Sequence, residues 1–302
     1  MTVNIGHPAG QAIPEDTSAA SVGTPAGLEV VPLAALRAAS HSRGSGVDVP
    51  QRPTCHHLLT LSSGTARPAV DFTAYDVRPE TWLWARPGQV LQWGDLTHAE
   101  GTLIVFERDV PDPATVRAAG LDDPHARVLR IPEAEDAVSL RVAADHLRHE
   151  FLGRGGLPAD AHTAVLRRLL DVLILRVAHL GTPGDPGHEP SETFLRFRGA
   201  VERDFARTRR VDDYAVALGY STRTLSRATL DAAGVGAKEF VDRRVVLEAK
   251  RLLAHTDLPA ARIAGRLGFS SATNFAKYFH QRAGQAPIAF RTTVRGESPA
   301  GA

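Results

Sequence analysis

The spacing of hydrophobic residues changes along the chain, and the first change lies near residue 55. Between residues 55 and 131, short runs rich in Val, Leu, Thr and aromatic residues alternate with turn-forming connections such as RPG at 86–88. The runs are HHLLTLSSG, AVDFTAYDV, TWLWARPG, QVLQWGD, GTLIVFERD and RVLRI. Short strands separated by turns in this way are typical of a small all-β barrel or sandwich.

Beyond residue 134 the apolar residues recur every three or four positions, which is the period of an amphipathic helix. The pattern predicts helices over 135–151 and 159–180, and the second is apolar around more than half of its circumference. Such a helix either lies between other elements or meets a partner subunit, so 159–180 is the best candidate for a dimer interface. On the first helix, the predicted apolar face comprises Val138, Leu140, Val142, Ala143 and Leu147.

The last third of the chain is predicted to be helical throughout. Residues 181–192 hold three Pro and three Gly, which indicates a linker between two domains. After it, amphipathic patterns predict helices over 194–205 and 238–253. The second of these has 16 residues, and a helix of that size is about 24 Å long.

One sequence pattern occurs twice in this helical part. YAVALGYSTRTLSRATL at 214–230 is similar to IAGRLGFSSATNFAKYF at 263–279, which begins 49 residues later. Each copy predicts a short helix, a turn at Leu-Gly-aromatic-Ser, and a second helix with Ser221 or Ser270 as its N-cap. A short helix, a glycine turn and a polar second helix are typical of a helix-turn-helix DNA reader. Any tight helical hairpin resembles one copy, but two copies make this interpretation much more specific.

The turn glycines and the inward-facing residues of the repeat can also be predicted. Gly219 and Gly268 permit the positive φ that such a turn requires. Leu225 and Phe275 are expected to face the core, which leaves the polar side chains of each second helix exposed.

Charge is distributed unevenly along the chain. Residues 1–190 carry 16 Arg against 23 acidic residues, whereas residues 191–296 carry 19 Lys and Arg against 10 acidic residues. The overall net charge of +1 therefore hides an acidic body and a basic C-terminal third. A basic segment that also carries the repeat favours binding to nucleic acid.

Residues 194–291 resemble the DNA-binding domain of AraC/XylS-type transcription regulators. The resemblance rests on RRVVLEAKRLLAHTDLPAARIAGRLGFSSATNFAKYFHQRAGQAPIAFR, which ends in the family's Gly-x-x-Pro-x-x-Phe-Arg pattern at Gly284, Pro287, Phe290 and Arg291. It implies two recognition helices, joined by a linker helix, that enter successive major grooves of double-stranded promoter DNA about 34 Å apart. The DNA-contacting positions that it implies are Thr222, Arg223, Ser226, Arg227, Ala272, Thr273, Asn274 and Lys277.

The first copy departs from the family pattern at two places. Gly236-Ala237 stands where a Ser-Pro pair is common, and Thr229 stands where a large apolar residue is common. Both departures predict that the first unit is packed less rigidly than the second.

The β-rich segment followed by two helices resembles the cupin-like sensing domain that precedes the DNA-binding domain in many such regulators. Aromatic walls and polar anchors for a small-molecule effector are expected from His57, Tyr75, Trp82, Trp84, Arg86 and Trp93. Trp82 and Trp84 share one face of a strand, and such a face is more often plain core.

No metal, cofactor or catalytic residue is expected in this segment. His56 and His57 are adjacent, so on a strand they point to opposite faces, and only one can face the interior. A cupin metal site also needs a carboxylate and a later His, but Leu91 occupies the position where that His would fall.

The sequence thus predicts an α+β protein with a cupin-like β-barrel and a helical pair, followed by an all-α double helix-turn-helix domain. The expected divisions are a flexible arm at 1–45, a sensing and dimerisation domain at 46–180, a linker at 181–192 and the DNA-binding domain at 193–294. One cysteine, Cys55, and the lack of an apolar leader or membrane segment favour a soluble cytoplasmic protein.

The expected function is that of a homodimeric transcription regulator, an activator acting on RNA polymerase, modulated by a small ligand. Two other interpretations stay open. One is a cupin-type enzyme with a fused helical domain, and the other is a regulator whose N-terminal half only dimerises and binds no ligand.

Overall fold

The computed structural model describes residues 27–42, 50–153, 156–180 and 190–296. The chain divides into two compact units, Met1–Asp185 and Pro186–Ala302. No helix among the described residues is both long enough and apolar enough to cross a membrane.

The described residues of the N-terminal unit form two antiparallel sheets and four helices. Its strands are β1 (Leu28–Pro32), β2 (His56–Ser63), β3 (Ala69–Val70), β4 (Thr73–Ala74), β5 (Trp82–Ala85), β6 (Leu91–Gln92), β7 (Glu100–Phe106) and β8 (Leu129–Arg130). Its helices are α1 (Leu33–Ser42), α2 (Pro113–Ala118), α3 (Ala134–Leu152) and α4 (Ala159–Ala178). The larger sheet has the order β1-β7-β2-β5-β8 and the smaller sheet the order β4-β3-β6.

Both faces of the larger sheet are buried. Strand β2 lies between β5 and β7, where Leu58 is opposite Trp84 and Ile104. Since successive side chains of a strand point to opposite faces, Leu58 packs towards α3 and α4, whereas Leu59 packs into a second core with residues of the smaller sheet. The run HHLLTL is therefore apolar without alternation because helices cover one face and a sheet covers the other.

The predicted β-barrel is not confirmed, because the strands of the described residues form two open sheets. Each of the six runs of the sequence does contain a strand. Of the flexible arm expected over 1–45, residues 1–26 and 43–45 lie outside the described residues, whereas residues 28–42 form β1 and α1. Strand β1 pairs with β7, and both Leu28 and Val30 are buried.

Helices α3 and α4 differ in how many of their apolar residues are buried. On α3, Leu140 and Leu147 are buried, whereas Val138 and Val142 of the predicted apolar face are 58% and 64% exposed. On α4, the apolar residues that enter the core beneath the larger sheet are Leu166, Leu170, Leu173, Ile174 and Val177. The wide apolar circumference of α4 is therefore largely explained by packing within its own unit.

In the C-terminal unit, the described residues 190–296 form helices and the connections between them. Its helices are α5 (Glu192–Asp204), α6 (Val211–Leu218), α7 (Thr222–Ala233), α8 (Ala237–His255), α9 (Ala260–Arg266), α10 (Ala272–Ala283) and α11 (Pro287–Arg295). Helix α8, the predicted linker helix, is longer at both ends than the predicted range 238–253. It packs against α5, α6 and α7 on one side of the repeat and against α9, α10 and α11 on the other.

Candidate nucleic-acid interface

The first copy of the repeat forms a helix-turn-helix from α6 and α7. Gly219 ends α6 with a φ of 71°, in the left-handed region that glycine adopts most readily. Ser221 is the N-cap of α7, and its side chain accepts a hydrogen bond from the Thr224 backbone N–H at 3.0 Å. The predicted turn and cap of the first copy are confirmed.

The second copy, formed by α9 and α10, has a turn that is longer by one residue. Gly268 again has a positive φ of 72°, but the N-cap of α10 is Ser271, whose Oγ accepts from the Asn274 backbone N–H at 3.1 Å. The predicted cap, Ser270, is wrong. Its hydroxyl accepts from Asn274 Nδ2 at 3.0 Å instead.

This extra residue changes the register between the two copies. Equivalent positions are 49 residues apart before the turn, as at Gly219 and Gly268, and 50 apart in the second helix, as at Ser221 and Ser271. Sequence comparison at constant spacing therefore identifies the wrong cap.

Helices α7 and α10 bury equivalent positions once the register is corrected. Leu225 and Phe275 are fully buried, as predicted, and so are Thr229 and Phe279 four residues later. Both helices therefore turn the same face towards the core, and both leave the opposite face exposed.

The positions implied for DNA contact lie on these outer faces. Thr222, Arg223 and Arg227 of α7 are exposed, and Ser226 is half-buried. On α10 the exposed positions are Ala272, Thr273, Asn274 and Lys277. Arg227 Nε lies 4.0 Å from Asp231 Oδ2, a surface separation at which an ion pair contributes little. The arginine can therefore turn towards a negatively charged ligand at small cost.

The unusual Thr229 of the first unit is accommodated by a hydrogen bond. Its side chain is fully buried, and its hydroxyl donates to the Leu225 carbonyl at 2.6 Å. Ala237, at the other departure from the family pattern, is also fully buried. The Thr229 hydroxyl has its hydrogen-bond partner inside its own helix, so burying it leaves no unsatisfied polar group.

The six residues expected to bind an effector do not form one pocket. Trp82 and Trp84 belong to the core beneath the helices, whereas Trp93 and the half-buried Tyr75 belong to the core between the sheets. The plain-core interpretation of the two strand tryptophans is the one that the packing supports. A surface cavity of about 450 Å³ is lined by Thr65, Ala66, Arg67, Asp76, Val77, Arg78, Asp95 and His98, none of which is among the six.

The two adjacent histidines are buried on opposite faces of β2. His56 stacks on Phe106 and accepts a hydrogen bond from Trp84 Nε1 at 3.2 Å. His57 lies beside Trp93 and is 3.2 Å from the Cys55 carbonyl. Burial lowers the pKa of His56 to about 3 and that of His57 to about 4, so both rings are neutral at physiological pH.

Arg86 is a buried cation with several backbone acceptors. One terminal nitrogen lies 3.3 to 3.4 Å from the carbonyl oxygens of Trp84, Ala126 and Arg127. Burial, followed by the nearby Arg130, lowers the pKa of Arg86 to about 10. These contacts attach residues 126–127 to the end of β5.

A metal site is not found in the part of the chain that the structure describes. No group of three His, Cys, Asp or Glu there could hold a metal ion.

The duplicated helix-turn-helix agrees with what comparison with known proteins shows. A family described as "Helix-turn-helix domain" matches residues 214–293. Regulatory protein PocR of Salmonella typhimurium is 33% identical over 89 residues, which cover 30% of this chain and 29% of PocR. Residues 214–293 thus form a helix-turn-helix domain of the AraC type.

Two further similarities extend the comparison. The HTH-type transcriptional activator RhaS of Shigella boydii is 29% identical over 136 residues, covering 45% of this chain and 47% of RhaS. The DNA-binding domain of AdpA, solved as a crystal structure in complex with a target DNA, is 28% identical in sequence to this chain. The match covers 37% of this chain and all of that chain, with a TM-score of 0.32. The chain thus spans less than half of the length of PocR and of RhaS.

The AraC/XylS-type ending has a clear structural task in this chain. Phe290 is buried, and Arg291 Nε donates to the Leu253 carbonyl at 3.2 Å, while a terminal nitrogen donates to the Leu258 carbonyl at 2.5 Å. Carbonyl groups at the end of a helix have no partner within that helix. The final arginine therefore ties α11 to the last turn of α8.

The sequence pattern did not single out the polar contacts between the two repeat copies. Asp242 of α8 and Arg209, which precedes α6, both bind residues of the second copy. Asp242 lies among other charged residues of α8, so its burial does not change the apolar period of the sequence. Only the fold shows that it is buried.

Proposed function

We propose that this protein is a sequence-specific DNA-binding transcription regulator whose α7 and α10 enter successive major grooves of promoter DNA. The observation that carries this proposal is the duplication itself. Two N-capped helices bury equivalent faces in one unit and present exposed polar residues at equivalent positions. Ordinary helical hairpins have no physical reason to repeat the polar outer face as well as the core.

The two reading helices have different chemistry. Arg223 and Arg227 of α7 can each donate two hydrogen bonds to guanine O6 and N7, a contact that contributes about 1–3 kcal/mol of discrimination. On α10, Ala272 offers only an apolar contact, such as to a thymine methyl group, while Thr273 and Lys277 offer hydrogen bonds. We therefore expect the half-site under α7 to be read more strictly than the one under α10.

The proposal is tested by fluorescence anisotropy with DNA from upstream of the protein's own gene. Wild type is expected to prefer this DNA to a scrambled duplex of equal length. The double variant Arg223→Ala, Arg227→Ala is expected to lose the preference by about tenfold or more, since each base contact contributes about 1–3 kcal/mol.

The matched control removes two arginines from the acidic N-terminal unit. Arg67→Ala, Arg78→Ala changes the net charge equally, and both residues are exposed, so the sequence preference should survive. Sequence-specific recognition is ruled out if wild type binds both duplexes alike and a genome-wide binding map also shows no preferred site.

The remaining parts of the proposed function concern the N-terminal unit. We propose that it forms the homodimer, and the exposed Val138, Val142 and Val172 of α3 and α4 supply apolar surface for that contact. RhaS is described as a transcriptional activator, which favours activation through RNA polymerase for this chain as well.

Modulation by a small effector is the second part, and a unit that only dimerises is its alternative. A ligand that binds only the folded state raises the apparent melting temperature. Thermal shift against a panel of metabolites separates the two, because a unit that only dimerises responds to protein concentration and to none of the compounds.

A further inference from the structure

Asp242 is a buried carboxylate at the junction of the two helix-turn-helix units. It lies in the first half of α8 and is 3% exposed. The Tyr278 hydroxyl donates to its Oδ1 at 2.7 Å, and an Arg282 terminal nitrogen donates to its Oδ2 at 2.6 Å. Lys238, one turn earlier on α8, donates to Oδ1 as well. Both oxygens of the carboxylate are therefore held by charged or polar donors.

Two of these donors belong to α10, the second reading helix. Tyr278 and Arg282 are four residues apart, so they lie on one face of that helix, and the guanidinium stacks 3.9 Å above the phenol ring. At 3.6 residues per turn, this face is roughly 140° around the helix from the side that carries Thr273 and Lys277. The bonds to Asp242 consequently fix the rotation of α10 about its axis and with it the direction of its outer face.

A second contact fixes the turn that precedes α10. Arg209, between α5 and α6, donates to the Leu267 carbonyl at 2.8 Å and to the Gly268 carbonyl at 3.1 Å. Its guanidinium also lies 4.0 Å above the Phe269 ring. The segment just before α6 thus binds the turn of the second helix-turn-helix directly, in addition to the contact through α8.

The packing around that turn leaves no room for a side chain at Gly268. A Cβ atom placed on Gly268 would lie 2.1 Å from the Ala206 carbonyl oxygen, whereas a Cβ atom on the equivalent Gly219 would meet nothing within 4 Å. The backbones of residues 206 and 268 are therefore in close contact, and only glycine permits it.

Among the described residues, the first reading helix has no corresponding polar contact with α8. The positions of α7 equivalent to Tyr278 and Arg282 are Ala228 and Ala232. In the first unit, Leu225 of α7 shares an apolar core with Val241 and Val245 of α8. Charge-assisted hydrogen bonds are directional, whereas apolar contacts are not, so the two reading helices are fixed by different means.

We propose that Asp242 and Arg209 are positioning residues that set the orientation of α10 relative to α7, so that the protein accepts the two halves of its DNA site at only one spacing. This inference rests on the proposed function, since it concerns how the two reading helices share one operator. The two units act as one rigid reader, and the specificity lies in the distance and helical phase between half-sites as well as in their bases.

The test uses the full-length protein and a DNA site that wild type selects from random duplexes. One base pair is then inserted between the two halves of the selected site, which moves them apart by about 3.4 Å and rotates one against the other by about 34°. Wild type is expected to lose about tenfold or more in affinity, the equivalent of losing about one good base contact. Asp242→Asn should reduce this spacing penalty to about threefold or less while keeping the preference for bases under α7.

Two further variants keep the outcome interpretable. Tyr278→Phe removes one hydrogen bond without leaving a buried charge unpaired, so it should fold even if Asp242→Asn does not, and it should relax the spacing penalty in part. Glu239→Gln is the control, because Glu239 is an exposed residue of α8 that binds only Arg243 of the same helix among its described hydrogen bonds. It should behave as wild type.

The possible failures are distinct. If wild type selects no sequence, the proposed function fails and this inference with it. If wild type selects a site but tolerates the inserted base pair, or if Tyr278→Phe and Asp242→Asn retain the full spacing penalty while folded, the positioning role is overturned and the regulator function stands.

Discussion

Three polar side chains of the C-terminal unit are buried or half-buried, and each of them has hydrogen-bond partners. Thr229 donates to its own helix, and Arg291 donates to carbonyls at and just beyond the end of α8. Asp242 is the most demanding case. Burial by itself would raise the pKa of its carboxyl group, but the hydrogen bonds from Lys238, Tyr278 and Arg282 together outweigh burial and lower the pKa below its ordinary value.

The lowered pKa of Asp242 predicts loss of stability in acid. A carboxyl group whose pKa is lower in the folded state stabilises the protein above its unfolded pKa of about 3.9, and this contribution is lost as the pH falls through the folded pKa. The free energy of unfolding should therefore differ most between wild type and Asp242→Asn at neutral pH, and the difference should shrink as the pH falls below about 3.9 and through the folded pKa. Urea unfolding of both proteins across this range measures it.

The control for this experiment is Asp231→Asn on the exposed face of α7. Its difference from wild type should be small at every pH. A difference for Asp242→Asn that stays constant or grows in acid contradicts the assigned hydrogen bonds.

At the scale of the elements, the two helix-turn-helix units are similar in conformation but different in surroundings. Gly219 and Gly268 have almost the same φ, 71° and 72°. The first turn is open to solvent on the side of its missing Cβ, whereas the second is pressed against the backbone at Ala206. In the first copy, glycine is therefore required only for its backbone conformation. In the second copy, it is required both for its conformation and because there is no space for a side chain.

This contrast predicts unequal effects of two identical substitutions. Gly219→Ala should cost about 1–2 kcal/mol in free energy of unfolding, which is the cost of a left-handed conformation for a residue with a Cβ atom. Gly268→Ala should cost clearly more, because its Cβ atom also overlaps a carbonyl oxygen. Denaturant unfolding of the two variants measures both values, and equal costs would show that the segment at 206 moves aside freely.

On the scale of the whole molecule, positive charge is concentrated where the reading helices are. Residues 191–296 carry 19 Lys and Arg against 10 acidic residues, while residues 1–190 carry 23 acidic residues against 16 Arg. Like charges on the acidic part repel phosphates, so binding to DNA is expected to involve the basic unit alone.

This distribution predicts how DNA affinity depends on salt. The logarithm of the binding constant should fall linearly with the logarithm of salt concentration, with a slope of about −0.9 for each phosphate that the protein neutralises. Lys277→Gln should make the slope shallower by about one if that lysine contacts a phosphate. Arg67→Ala, Arg78→Ala should leave the slope unchanged, and a similar change in both variants would mean that the acidic unit also contacts DNA.

How far the sequence predicts this protein depends on whether the relevant interaction is local. The period of the apolar residues identifies α3, α4 and α8 and the two reading helices, because a helix must repeat its buried face every 3.6 residues. Turn glycines and the polar faces of α7 and α10 are equally local. The cap at Ser271 is missed because one inserted residue breaks the constant spacing of the repeat.

Sequence alone therefore determined helices α3 to α10, the six strand-containing runs, the duplication of the helix-turn-helix and the concentration of positive charge around it. Only the tertiary structure decided that the strands form two open sheets, that the strand tryptophans pack under helices, and that Asp242 joins α8 to α10. The physical reason is that these outcomes depend on partners far apart in the chain, such as Asp242 and Arg282 at a separation of 40 residues. Periodicity indicates that a face is buried, but it does not indicate what covers that face.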